Sequence, residues 1–141
     1  IENKYTNDPD DPVVLEEYCD FLKEYLSQGF MEKQMEQIYR NQYTQLLLKQ
    51  LEQRVNLHTC VCLMENLMVQ RDFFLAEKIL KIMDQNWHRG EEYWIWKIRY
   101  LAERKMGKEL KQSLQALKEE HIYLSSRGKE ALGFWLDGSK K

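Results

Sequence analysis

Five consecutive residues, His58-Thr59-Cys60-Val61-Cys62, hold the densest set of metal-ligating and nucleophilic side chains in the sequence. On a helix, His58 and Cys62 stand four apart and share a face, a spacing that supplies half of a zinc site. Cys60 points about 200° away from His58, at about 100° per residue, so the three cannot act together. Cys19, His88 and His121 are scattered and complete no fourfold ligand set. The plainer reading makes Cys60 and Cys62 small core residues, and it is preferred to a metal site.

The acid pairs Glu16-Glu17, Glu91-Glu92 and Glu119-Glu120 are poor acid–base dyads. Adjacent helical residues diverge by about 100°, and each pair sits near an expected helix end, where charge is solvated or complements the helix dipole. The chain lacks a glycine-rich phosphate loop, a Gly-x-Ser-x-Gly nucleophile turn and a His-Glu-x-x-His zinc helix. Tyr93, Trp94, Trp96 and Tyr100 interleave with Lys97, Arg99 and Arg104. Such a surface can stack on single-stranded nucleic acid, but the periodicity favours Trp94, Ile98 and Leu101 as core, with Tyr93 and Trp96 covering a neighbouring pair.

Helices must position these groups. Of 141 residues only two are proline and six are glycine, too few for the turns of a sandwich or barrel. Hydrophobic residues at 43% and charged residues at 31% exclude wholesale disorder. No apolar run approaches the roughly 18 residues of a membrane span, and no signal-peptide pattern opens the chain. No membrane is therefore expected. Three cysteines, two of them two residues apart, argue against a disulfide framework and for a reducing, cytoplasmic setting. The net charge of −2 gives no global reason to seek nucleic acid. Charge is nevertheless uneven: residues 1–20 carry seven acids against one base, and Arg99 to the end carries ten bases against six acids.

Residues 1–11 read as a flexible acidic linker, and 12–141 as a single helical-repeat domain. Asp11-Pro12 reads as N-cap and first helical residue. A stripe from Val14 to Leu26 makes the first helix, closed by Gly29. The second runs from Met31 to Arg54. Asn56 caps a third, from Leu57 to Gln70. The fourth ends at Trp87, and His88-Arg89-Gly90 closes it. Glu91 opens a fifth, apolar on nearly every side, which is either central or half-covered by a partner. Lys105-Met106-Gly107 is a turn, Leu110 to Leu117 marks a sixth helix, and Ala131 to Leu136 a short last one, with Asp137 onward frayed. The expected fold is all-α: stacked antiparallel helix pairs, about seven helices and no sheet.

A shift of 34 residues places Cys60 on Trp94, Leu67 on Leu101, Ala76 on Leu110, Leu80 on Leu114 and Met83 on Leu117, apolar on apolar each time. This period of helix–turn–helix units over about residues 57–122 resembles the tetratricopeptide repeat. Cys60 and Trp94 fall at its opening bulky position and Ala76 at the small residue of its second helix. The pattern departs at Met64 and Ile98, where a small residue belongs, and lacks the closing proline. Residues 75–120 are also similar to the bacterial transcriptional activator domain. Glu91-Glu92, Arg99, Gly107 and Leu124-Ser125-Ser126 stand at its positions, and helical sensor halves of bacterial regulators share this texture.

The repeat resemblance implies a concave face lined by the first helix of each pair. Carried over, its lining includes His58, Glu65, Met68, Glu92, Ile95 and Arg99, with Arg99 suited to a carboxylate. The resulting expectation is a non-enzymatic domain without a cofactor that binds a protein or peptide in a helix-lined groove. Its parent is expected to be a bacterial transcription regulator, with DNA contacted only by a domain outside this chain. A homodimer through Phe73, Phe74, Phe134, Trp135 and the fifth helix is a further expectation. The alternatives are a small all-α enzyme or metal protein using His58 and Cys62, and direct nucleic-acid binding.

Overall fold

The structure is a computed structural model that describes residues 11–28 and 32–138, with the backbone alone at 137 and 138. Residues 1–10 of the linker expected at 1–11, the helix-closing Gly29 and Met31 lie outside the described residues. Seven α-helices make up the described chain, with no strand among the described residues: α1 (Pro12–Ser27), α2 (Lys33–Gln53), α3 (Leu57–Gln70), α4 (Phe73–Trp87), α5 (Glu91–Glu103), α6 (Gly107–Glu119) and α7 (Ser126–Gly138). The chain divides into two compact units at Asp72/Phe73, with α1–α3 in one and α4–α7 in the other.

In the first unit α2 packs against both α1 and α3. Asp11 caps α1, its side chain accepting from the Val13 and Val14 amides at 2.8 and 3.4 Å, with Pro12 at the first helical position. Asn56 caps α3 by accepting from the Thr59 amide at 3.2 Å. The α2–α3 seam carries a buried polar cluster. Asn66 donates to the Thr44 hydroxyl at 2.6 Å and the Arg40 carbonyl at 3.1 Å, while its own carbonyl oxygen accepts from the Arg40 guanidinium at 2.9 Å. These bonds make the burial of Asn66 and Thr44 tolerable and fix one register between the two helices, although Arg40 Nε is buried without a hydrogen-bond partner.

In the second unit α5 is the hub: α4, α6 and α7 all pack against it. Tyr93, Trp94, Ile95, Trp96, Ile98, Tyr100 and Leu101 are all buried. The fifth helix, apolar on nearly every side, is thus central. This covering also answers part of the surface assigned to a second copy, although Phe74 and Phe134 remain exposed.

The 34-residue period recurs in local geometry. It separates the first residues of α3 and α5, and those of α4 and α6. It also separates two left-handed turn residues, Arg71 (φ 58°) and Lys105 (φ 56°). Each makes the same paired closure: Arg71 N–H to Met68 and Asp72 N–H to Leu67, then Lys105 N–H to Ala102 and Met106 N–H to Leu101. Ala76 is fully buried and Leu110 half-buried. The helix pair 12–53 stands outside this period, its helices being 16 and 21 residues long.

Two helix ends differ from expectation. Gly107 opens α6 rather than belonging to the turn, because the chain has already reversed at Lys105. The last helix starts at Ser126 rather than Ala131 and runs to Gly138. Its early start follows from Ser125, whose hydroxyl accepts the Gly128 amide at 3.2 Å as an N-cap does.

Candidate functional site

A groove runs between α4 and α5 in the second unit, enclosing about 350 Å³. Tyr93, Lys97 and Tyr100 line it from α5, with Arg104 just after that helix. Their spacing of four, three and four puts them on one helical stripe. Glu77, Leu80, Lys81 and Asp84 face them from α4 at a matching spacing. Three bases therefore meet two acids over a floor that includes Leu80 and Leu101.

The acids are not equivalent. Asp84 is committed to His88, whose second ring nitrogen meets Glu120 at 2.6 Å. The Glu120 and Asp84 hydrogen bonds raise the His88 pKa above its ordinary value, Glu120 contributing most. The Arg89 guanidinium donates to the Glu120 carbonyl at 3.0 Å, and the Trp94 indole donates to the His88 carbonyl at 2.7 Å. The α4–α5 turn is thus tied to the end of α6, which holds the groove's two walls.

On the α5 wall the bases lie against aromatic faces. Lys97 Nζ is 5.5 Å from the Tyr93 ring centre and 5.2 Å from that of Trp94. Arg104 stands over Phe73 and Tyr100 and donates to the Tyr100 hydroxyl at 3.2 Å. Such contacts preorganise the cations while leaving their hydrogen-bond donors available. Burial pushes the Tyr93 phenol up to about 12, so it stays a neutral donor.

The first unit contains a second constellation. Cys62 Sγ has His58 Nε2 at 3.6 Å and Lys23 Nζ at 3.7 Å. These groups line a cavity of about 510 Å³ with Cys19. Tyr43 stands on the same cavity wall. Cys60, on the other side of α3, is fully buried, as helical rotation requires. The expected juxtaposition of His58 and Cys62 is present, but an ammonium rather than another ligand completes it. Among the described residues no group of three or more His, Cys, Asp or Glu is placed to hold a metal ion. A wider depression of about 690 Å³ along α2 collects amides, including Asn41, Gln42 and Gln45, with one base and one acid.

The six residues expected on a concave face divide between the units. His58, Glu65 and Met68 lie in α3, the first two exposed and Met68 half-buried. Glu92, Ile95 and Arg99 lie in α5. Ile95 is buried, Glu92 pairs with Arg127, and the Arg99 guanidinium stands 5.1 Å over the Trp96 ring. The groove residues Lys81, Lys97 and Arg104 were not among them. The base–aromatic alternation of residues 93–104 signals Lys97 and Arg104, but not Lys81 on the helix that faces them.

Glu91 and Ser125 are functional in a structural sense. Ser125 donates to the Glu91 carboxylate through its amide at 2.9 Å and its hydroxyl at 2.8 Å. This brings the start of α5 to the start of α7, with Glu91 holding the Ser125 that caps α7.

No protein family, no curated protein and no solved structure matches this chain. Among the described residues no helix is long and apolar enough to cross a membrane.

Proposed function

We propose that the chain is a non-enzymatic helical-repeat domain that binds a partner protein or peptide, and that the α4–α5 groove seats an acidic segment of that partner. The observation that carries this reading is the single stripe Tyr93–Lys97–Tyr100–Arg104 lining an open groove, with Lys81 on the opposite wall. Lys81 and Lys97 have no carboxylate partner among the described residues, so their charge is available to a ligand. The volume suits a few side chains of a docked helix or turn, with Leu80 and Leu101 below for an apolar anchor.

Nucleic acid is the weaker occupant. Tyr93, Trp94 and Tyr100 are buried, and Lys97 and Arg104 already cover ring faces that a base would need. The placement of this domain in a bacterial transcription regulator rests on the resemblance of residues 75–120 alone. A helix-turn-helix encoded in the same reading frame would support it.

Selection of displayed peptides against the full chain tests the binding reading. It predicts enrichment of acidic sequences with an apolar anchor, and loss of their binding by at least about tenfold in Lys97→Glu, the scale of a charge-assisted contact turned repulsive. Enriched peptides without acids, or equal binding by Lys97→Glu, would reject it.

A further inference from the structure

We infer that Cys62 is a reactive thiol, a modification site for small disulfides admitted by the cavity among α1, α2 and α3. The inference is independent of the α4–α5 groove, since every residue it uses lies in the first unit.

Thiol chemistry needs a thiolate, a proton acceptor and room for an electrophile. All three converge on one sulfur. His58 Nε2 at 3.6 Å can take the proton, while Lys23 Nζ at 3.7 Å stabilises the charge left behind. Cys62 is 4% exposed, but its sulfur lines the cavity of about 510 Å³, so a small reagent can reach it there. A cavity of that size takes a two-sulfur compound of low mass. Arg54 and Lys23 on the wall, with Glu16 and Asp20 near them, suit polar rather than greasy substituents.

The other cysteines do not compete. Burial, aided by Asp20, raises the Cys19 thiol to about 12, and burial raises Cys60 to about 11. Both stay protonated near neutral pH. In the step itself, the Cys62 proton passes to His58 and the thiolate attacks one sulfur of R–S–S–R. The Cys62–S bond forms as the S–S bond breaks. The departing thiolate takes the proton back from His58, leaving a mixed disulfide and one R–SH. No other oxidant is needed.

The test incubates the full chain with 2-hydroxyethyl disulfide at neutral pH and follows the adduct by intact mass and peptide mapping. The expected result is a first adduct on Cys62, formed about tenfold or more faster than on Cys60 or Cys19, since Cys62 has an imidazole and an ammonium beside its sulfur while burial holds the other two thiols protonated. Lys23→Met and His58→Gln should each slow it, and Cys62→Ser should remove the fast phase. Circular dichroism checks that the variants stay helical. If one unfolds, the relative rates at the three cysteines of the unsubstituted chain decide alone. A Cys62 rate no greater than that of Cys60, or folded variants that react at the original rate, would overturn the inference.

Discussion

Gly128 shows how one side chain's partner sets the sign of a substitution. A Cβ there would lie 2.3 Å from Glu91 Oε1. That carboxylate end is flexible in principle, but it is held by the Ser125 amide and hydroxyl. Displacing it costs about 1–2 kcal/mol in charge-assisted hydrogen bonds. Replacing a helical glycine by alanine would otherwise gain about 1 kcal/mol. Gly128→Ala is therefore expected to destabilise the native chain and to stabilise the Glu91→Ala variant, read from urea unfolding midpoints. The same sign in both backgrounds would refute the contact. A second prediction concerns Lys105, which adopts φ 56° without being glycine. Lys105→Gly should add about 0.5–1 kcal/mol by removing that strain. The sequence located this turn, but not its left-handed residue, because glycine two positions on drew the boundary too far. Gly128 likewise lies ahead of the helix expected from Ala131, since only the fold shows that it makes room for Glu91.

At the scale of elements, His88 links three helices. It follows α4, its ring packs on Tyr93 and Trp94 of α5, and it meets Glu120 after α6. Its folded pKa is raised, so its contribution to stability is fully present below the unfolded value of about 6.5 and is lost as pH rises through the folded value. Melting temperature should fall as pH rises above about 6.5 in the native chain, and fall less in His88→Gln, where the titration is absent. Equal pH dependence in the two would remove the clamp. Tyr93, raised to about 12, does not confuse this window. Most helices were legible because apolar spacing and caps agree: Asp11-Pro12 and Asn56 sit where their side chains bond amides. The Asn66 cluster was not legible. Polar residues on α2 and α3 become partners only after the helices meet, and Arg40 and Thr44 stand 26 and 22 residues from Asn66.

At the scale of the molecule, the 34-residue period was readable as paired apolar positions, and it returns as helix starts and matching turns. The groove was only half readable. The α5 stripe stands plainly in residues 93–104, but the α4 wall comes from another helix, which no local pattern in that stretch names. The expected lining of α3 and α5 rested on a family geometry, whereas the groove described here lies wholly within α4–α7. The most direct test is an amide chemical-shift titration of the full chain with a helical peptide bearing glutamates on one face and leucines on the other. The account predicts shifts concentrated at Leu80, Lys81, Tyr93, Lys97 and Arg104, and their disappearance in a Lys97→Glu, Arg104→Glu variant that remains folded. Shifts centred on Arg99, on α1–α3 or nowhere would contradict it.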